Sequence, residues 1–152
     1  MPFVDNIGFL MSRASGLLVR ATNAALAEEG LRVRQYSVLS LVCEAGSSQR
    51  DLAEVLGLDP SQVVALVDDL HAAGLVERTP SPADRRTKLV VPTERGRATR
   101  ERAARTAESS LAAQLAGLDA GEQAVLRHLL GRLAGVPRVS TDTSVGAADQ
   151  HV

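Results

Sequence analysis

Apolar residues return at every third or fourth position along most of this chain, the spacing of helices that bury one side. Phe3, Ile7, Leu10, Ala14, Leu17, Ala21 and Ala24 step by alternating fours and threes. The first helix therefore carries a narrow, coiled-coil-like seam and ends near Gly30. That seam suits the chain's own core or a partner chain. A second helix begins within 36–43 and ends around Gly46. Ser48 caps a third, with Asp51 complementing its dipole. Leu52, Val55 and Leu56 give it a buried side, and Gly57 stops it. Asp59-Pro60-Ser61-Gln62 opens a fourth helix. Aspartate suits the cap, proline the first helical position, and glutamine three residues on completes a capping box. Val63, Val64, Leu66, Val67 and Leu70 are its apolar residues, and Gly74 ends it.

After Gly74 the pattern changes. Residues 75–79 and 87–91 read as strands, joined by the loop Pro80-Ser81-Pro82-Ala83-Asp84-Arg85-Arg86. Thr93 caps a fifth helix that runs to about Leu118, cationic at first and apolar later (Ala104, Ala107, Leu111, Leu115). Asp119 to Glu122 repeats the capping-box pattern before a last helix with Leu126, Leu129, Leu130 and Leu133 on one side. Residues 137–152 are short of large apolar side chains and are expected to form a disordered tail. The expected fold is mainly α with a small β-hairpin wing. A winged helix-turn-helix domain spans 31–96, and the helices of 1–30 and 97–136 form a dimerisation lobe.

Composition narrows the function. The 152 residues make one domain with a real core. Only Phe3, Phe9 and Tyr36 are aromatic, which favours tightly packed helices over a β-sandwich. No apolar run approaches the roughly 20 residues of a membrane span, and no signal pattern opens the chain. A cytoplasmic protein with no membrane partner is expected. The single cysteine, Cys43, lies among Val38, Leu39, Leu41 and Val42 and reads as a core residue rather than a redox sensor. His71, His128 and His151 are scattered, and no glycine-rich phosphate loop is present. No enzyme, metal site or cofactor is expected.

Net charge is −1, but its distribution is uneven. From residue 76 to residue 105, nine basic residues face four acidic ones, a local balance of +5 that leaves −6 elsewhere. Nucleic acid responds to the local field of such a face. In a helix-turn-helix the second helix presents its first turns to base edges in the major groove. Here those turns offer Pro60, Ser61, Gln62, Ala65 and Leu66. Gln62 has the groups to bind adenine in a bidentate way, and Pro60 presents apolar surface to a thymine methyl. The same residues would also serve plain capping. No Arg or Lys occurs from Asp51 to Glu77, so this helix lacks the arginine that most often reads guanine. Its Asp68 and Asp69 are expected away from the groove, paired with neighbouring arginines. The wing supplies the missing charge through Arg85, Arg86 and Lys88. A guanidinium at such a tip can enter a narrow A/T-rich minor groove, with the Asp84 carboxylate orienting it. Ser48, Gln49 and Arg50, at the start of the third helix, complete the candidate DNA-contacting set.

These residues together resemble the MarR (multiple antibiotic resistance regulator) family of bacterial winged-helix transcription factors. The resemblance rests on Leu70-x-x-x-Gly74-Leu75-Val76-x-Arg78, then Asp84-x-Arg86, then Leu89-Val90-Val91-Pro92-Thr93-x-x-Gly96, with Pro92 where the family usually has leucine. It extends over roughly residues 5 to 136. It implies a homodimer with interleaved terminal helices that binds a pseudo-palindromic site on double-stranded DNA, most commonly as a repressor. Arg86 would be the minor-groove arginine with Asp84 as its partner, and Arg85 and Lys88 would touch phosphates. A small aromatic or phenolic acid bound between the lobe and the reader would release DNA. Arg13, Arg20, Tyr36 and His71 are candidate lining residues for it. The peroxide-sensing branch carries a cysteine on the first helix, which this chain lacks. The competing reading is a winged-helix dimer that acts as a ligand- or protein-binding module and holds DNA weakly.

Overall fold

The computed structural model describes residues 1–136; the expected tail, 137–152, lies outside the described residues. Six α-helices and a three-stranded antiparallel sheet follow the order α1 (Ile7–Leu26), α2 (Val33–Glu44), β1 (Ser47–Ser48), α3 (Gln49–Leu56), α4 (Pro60–Ala72), β2 (Val76–Pro80), β3 (Lys88–Pro92), α5 (Glu94–Gln114) and α6 (Ala120–Ala134). Local capping sets most of these boundaries. Ser48 Oγ accepts from Asp51 N at 3.1 Å, Thr93 Oγ1 from Gly96 N at 3.0 Å, and Asp119 Oδ1 from Glu122 N at 2.9 Å. At α2 a local bond, Arg32 N to Gln35 Oε1 at 2.9 Å, is joined by a tertiary one: Asn23 Oδ1, on α1, accepts from Val33 N at 2.9 Å.

Several boundaries differ from the sequence expectation. α2 begins at Val33, before Tyr36, and α5 stops at Gln114, short of Leu118. Both wing strands lie one residue later than expected, because Pro80 pairs with Lys88 and Val76 with Pro92. Proline is tolerated at these strand ends because the ladder loses little there. β1 is an addition. Ser47 and Ser48 pair with Val90 and Leu89, giving the strand order β1-β3-β2 and stitching the wing to the start of α3.

The buried core gathers Leu26, Leu31, Val38, Leu39, Val42, Leu52, Ala53, Val63, Val67, Leu70, Leu75, Val76, Val90 and Ala103. All but Leu26 and Ala103 belong to residues 31–96, so the reader carries nearly all of it. The α1 seam does not join this core. Phe3 and Ile7 are each 73% exposed, Leu10 and Leu17 are exposed, and only Thr22 and Leu26 of α1 are buried. α1 packs against α5, and just past the end of α1 the Glu29 Oε2 atom accepts from Arg102 Nε at 3.0 Å. α6 has no buried residue.

Gly96 fixes how α5 leaves the wing. A Cβ on it would lie 1.9 Å from the Leu75 carbonyl oxygen, so only glycine permits this backbone approach. Around it, Thr93 N donates to Leu75 O at 3.1 Å and Thr93 Oγ1 to Gly74 O at 2.7 Å.

Candidate nucleic-acid interface

The turn between α3 and α4 is set by Gly57, whose φ of 62° is the left-handed conformation that ends a helix. Leu58 N donates to Ala53 O at 3.0 Å, reversing the chain so that Asp59 and Pro60 open α4. Val63, Val67 and Leu70 then face the core, while Pro60, Ser61, Gln62 and Ala65 are exposed. Two apolar residues of α4 face opposite ways. Leu66 is half-buried against the core and leaves the candidate readers, whereas Val64 is exposed to solvent. Gln62 Oε1 accepts from Asp59 N at 3.2 Å, so its side chain is already engaged in capping.

The wing tip is shaped by its own hydrogen bonds. Ser81 N donates to Thr87 O at 2.8 Å, and Thr87 N to Asp84 O at 3.0 Å. The sequence suggests that Asp84 orients the Arg86 guanidinium, and here the structure differs. Asp84 Oδ1 accepts from the Arg86 backbone N at 3.0 Å, and among the described residues neither Arg85 nor Arg86 forms an ion pair. A short carboxylate reaches a backbone amide two residues on more readily than the end of a long side chain. Asp84 thus fixes the bend of the tip, and the exposed Arg85 and Arg86 project from it.

Arg78 joins the wing to both helices of the reader. From β2 its Nε and Nη2 donate to Gln49 Oε1 at 3.1 and 3.0 Å, and Nη2 pairs with Asp68 Oδ1 on α4. Gln49 is thus held by the fold through its carbonyl oxygen. Asp69 Oδ2 accepts from Gln35 Nε2 on α2 at 3.4 Å. Sequence reasoning noticed Arg78 only inside a motif; the signal was there, in acids on a cation-free helix facing an arginine on the next strand. Ser48, Gln49, Arg50 and Lys88 come together with Arg78, Thr87 and Val90 around one open cleft of about 370 Å³. Asp84, Arg85 and Arg86 lie beyond it at the tip, and the α4 residues do not line it.

The four candidate effector contacts are not brought together in this way. Arg13 and Arg20 are exposed on α1, His71 is exposed in the last turn of α4, and Tyr36 is half-buried against the core. None lines the wing cleft or the groove of about 570 Å³ between α1 and α5. Cys43 is also partly buried against the core. Burial pushes its thiol pKa up, opposed by Arg97 and Arg100, and so holds the protonated form. No group of three or more potential metal ligands occurs among the described residues. No described helix is long and apolar enough to cross a membrane.

Known proteins share this arrangement. The profile of the MarR family matches residues 29–87. The multiple antibiotic resistance protein MarR of Escherichia coli is 33% identical over 116 residues, covering 75% of this chain and 81% of that one. CouR from Rhodococcus jostii RHA1, solved bound to p-coumaroyl-CoA, is 43% identical with a TM-score of 0.82, covering 88% of this chain and 95% of that one. A transcriptional repressor CouR bound to a 23-mer DNA duplex is 30% identical with a TM-score of 0.79, covering 86% of this chain and 93% of that one. The chain belongs to the MarR family of DNA-binding transcriptional regulators.

Proposed function

We propose that this chain is a cytoplasmic, non-enzymatic repressor that binds a pseudo-palindromic promoter site as a homodimer and is released by an aromatic acid or its CoA thioester. The observation that carries the DNA reading is the wing. Arg85 and Arg86 project unpaired from a tip that hydrogen bonds hold in shape, and the exposed face of α4 is tied to the same sheet through Arg78. Double-stranded DNA is the partner whose two grooves match a helix and a basic tip side by side. Residues 1–30 and 97–136 join two copies, a role supported by the exposed apolar positions of α1 and α6. Ser48, Arg50 and Lys88 contact phosphate, while Ser61, Gln62 and Ala65 face bases.

The effector class follows the relative bound to p-coumaroyl-CoA. Ser40 Oγ on α2 and Arg100 Nε on α5 are buried without a hydrogen-bond partner among the described residues. Groups left in that state are costly, and a carboxylate reaching Arg100 Nε would give it an acceptor. Binding to a site selected from random duplexes tests the main reading: affinity should fall steeply between about 50 and 200 mM salt. Equal affinity for selected and random DNA at physiological salt would leave the interaction-module reading in its place. p-Coumaroyl-CoA should raise the melting temperature and release the duplex, with about 2.7 kcal/mol of stabilisation at 100 times its Kd.

A further inference from the structure

We infer that Val64 reads the C5 methyl group of a thymine in the major groove, an inference that rests on the DNA-binding reading above. Every other exposed large apolar side chain among the described residues lies at 1–19 or 111–136, outside the reader. Val64, 38% exposed, is the single one within 31–96, and it sits one turn into α4. Several acceptors of the same helix are engaged elsewhere. Gln62 Oε1 holds the Asp59 amide, Asp68 pairs with Arg78, and Asp69 accepts from Gln35. α4 carries no lysine or arginine. Its early exposed surface is Pro60, Ser61, Gln62, Val64 and Ala65, three of them apolar. Thymine alone places a methyl group on the floor of the major groove, so it is the base that an apolar surface there can distinguish. The exposed cations of the wing hold the duplex, and a branched side chain in van der Waals reach of one methyl adds sequence preference without a hydrogen bond.

The test uses the full chain and a duplex recovered by in vitro selection from random sequence. Each thymine is replaced in turn by deoxyuridine, which lacks only the methyl. The unaltered protein should lose about fourfold in affinity at one thymine of each half-site, the worth of one buried CH2 group. Val64→Ala should bind the thymine duplex more weakly by a similar factor and be indifferent to deoxyuridine there. If the unaltered protein tolerates deoxyuridine at every position, or if Val64→Ala keeps the full penalty, Val64 is not the reader. A selection that enriches no sequence would instead overturn the regulator reading, and this inference with it.

Discussion

Residues 31–96 and the helices around them solve burial in opposite ways. In the reader, Val38, Leu39, Val42, Val63 and Val67 are fully excluded from solvent, and a single chain completes the core. Around it, Ile7, Leu10, Leu129 and Leu133 stay exposed on helices with good caps and regular apolar spacing. Both regions carry the same kind of amphipathic pattern, and only one finds its partner among the described residues. One chain therefore completes the core of 31–96 and leaves apolar seams on α1 and α6 uncovered, as half of a second core would be.

Breaking that second core should have the largest effect. Leu129→Asp combined with Leu133→Asp is expected to give a monomer by light scattering and to weaken operator binding by about 10²–10⁴-fold, because the second half-site no longer binds intramolecularly. A persistent dimer would place the interface elsewhere. Leu39→Ala should lower unfolding free energy by about 2–5 kcal/mol by urea denaturation, an amount unaffected by protein concentration. Leu129→Ala should shift the melting temperature by an amount that depends on concentration. Equal behaviour of the two variants would erase the distinction between the cores.

Smaller effects sharpen the picture within the reader. Arg86→Ala should weaken operator binding on the order of tenfold, about 1.4 kcal/mol, with the dimer intact. An unchanged mobility shift would remove Arg86 from the minor groove. Arg78→Ala should cost about 1 kcal/mol of stability, since its partners Asp68 and Gln49 are partly solvated. The least effect is expected at Cys43, whose raised pKa should make it slow to alkylate near neutral pH. Rapid, DNA-sensitive labelling would contradict that.

What the sequence disclosed follows the range of the interactions. Caps at Ser48, Thr93 and Asp119 act within three residues and were legible, as was the wing between two strands. The β1 strand was not, because Ser47 and Ser48 gain strand character only by pairing with residues some forty positions later. Asn23 capping α2 escaped notice for the same reason. On α4, adjacent apolar residues at 63, 64, 66 and 67 surround too much of the helix for spacing alone to say which faces out. Packing against α2 and α3 decides that Leu66 turns inward and Val64 outward. Among the site residues, the wing-tip cations were found by charge. The double duty of Gln49 and Asp84 depends on geometry that composition does not encode.

The contact of Gly96 with the Leu75 carbonyl also has a mechanical side. Backbone set against backbone leaves no flexible side chain to absorb motion at the junction of reader and α5. α5, with 21 residues, is a stiff rod of about 31 Å. A tilt of about 10° at its far end therefore displaces the wing and α4 by about 5 Å, a large error against a half-site repeat of about 34 Å. Held this way, the junction would pass a change in the angle of α5 directly to the wing and α4.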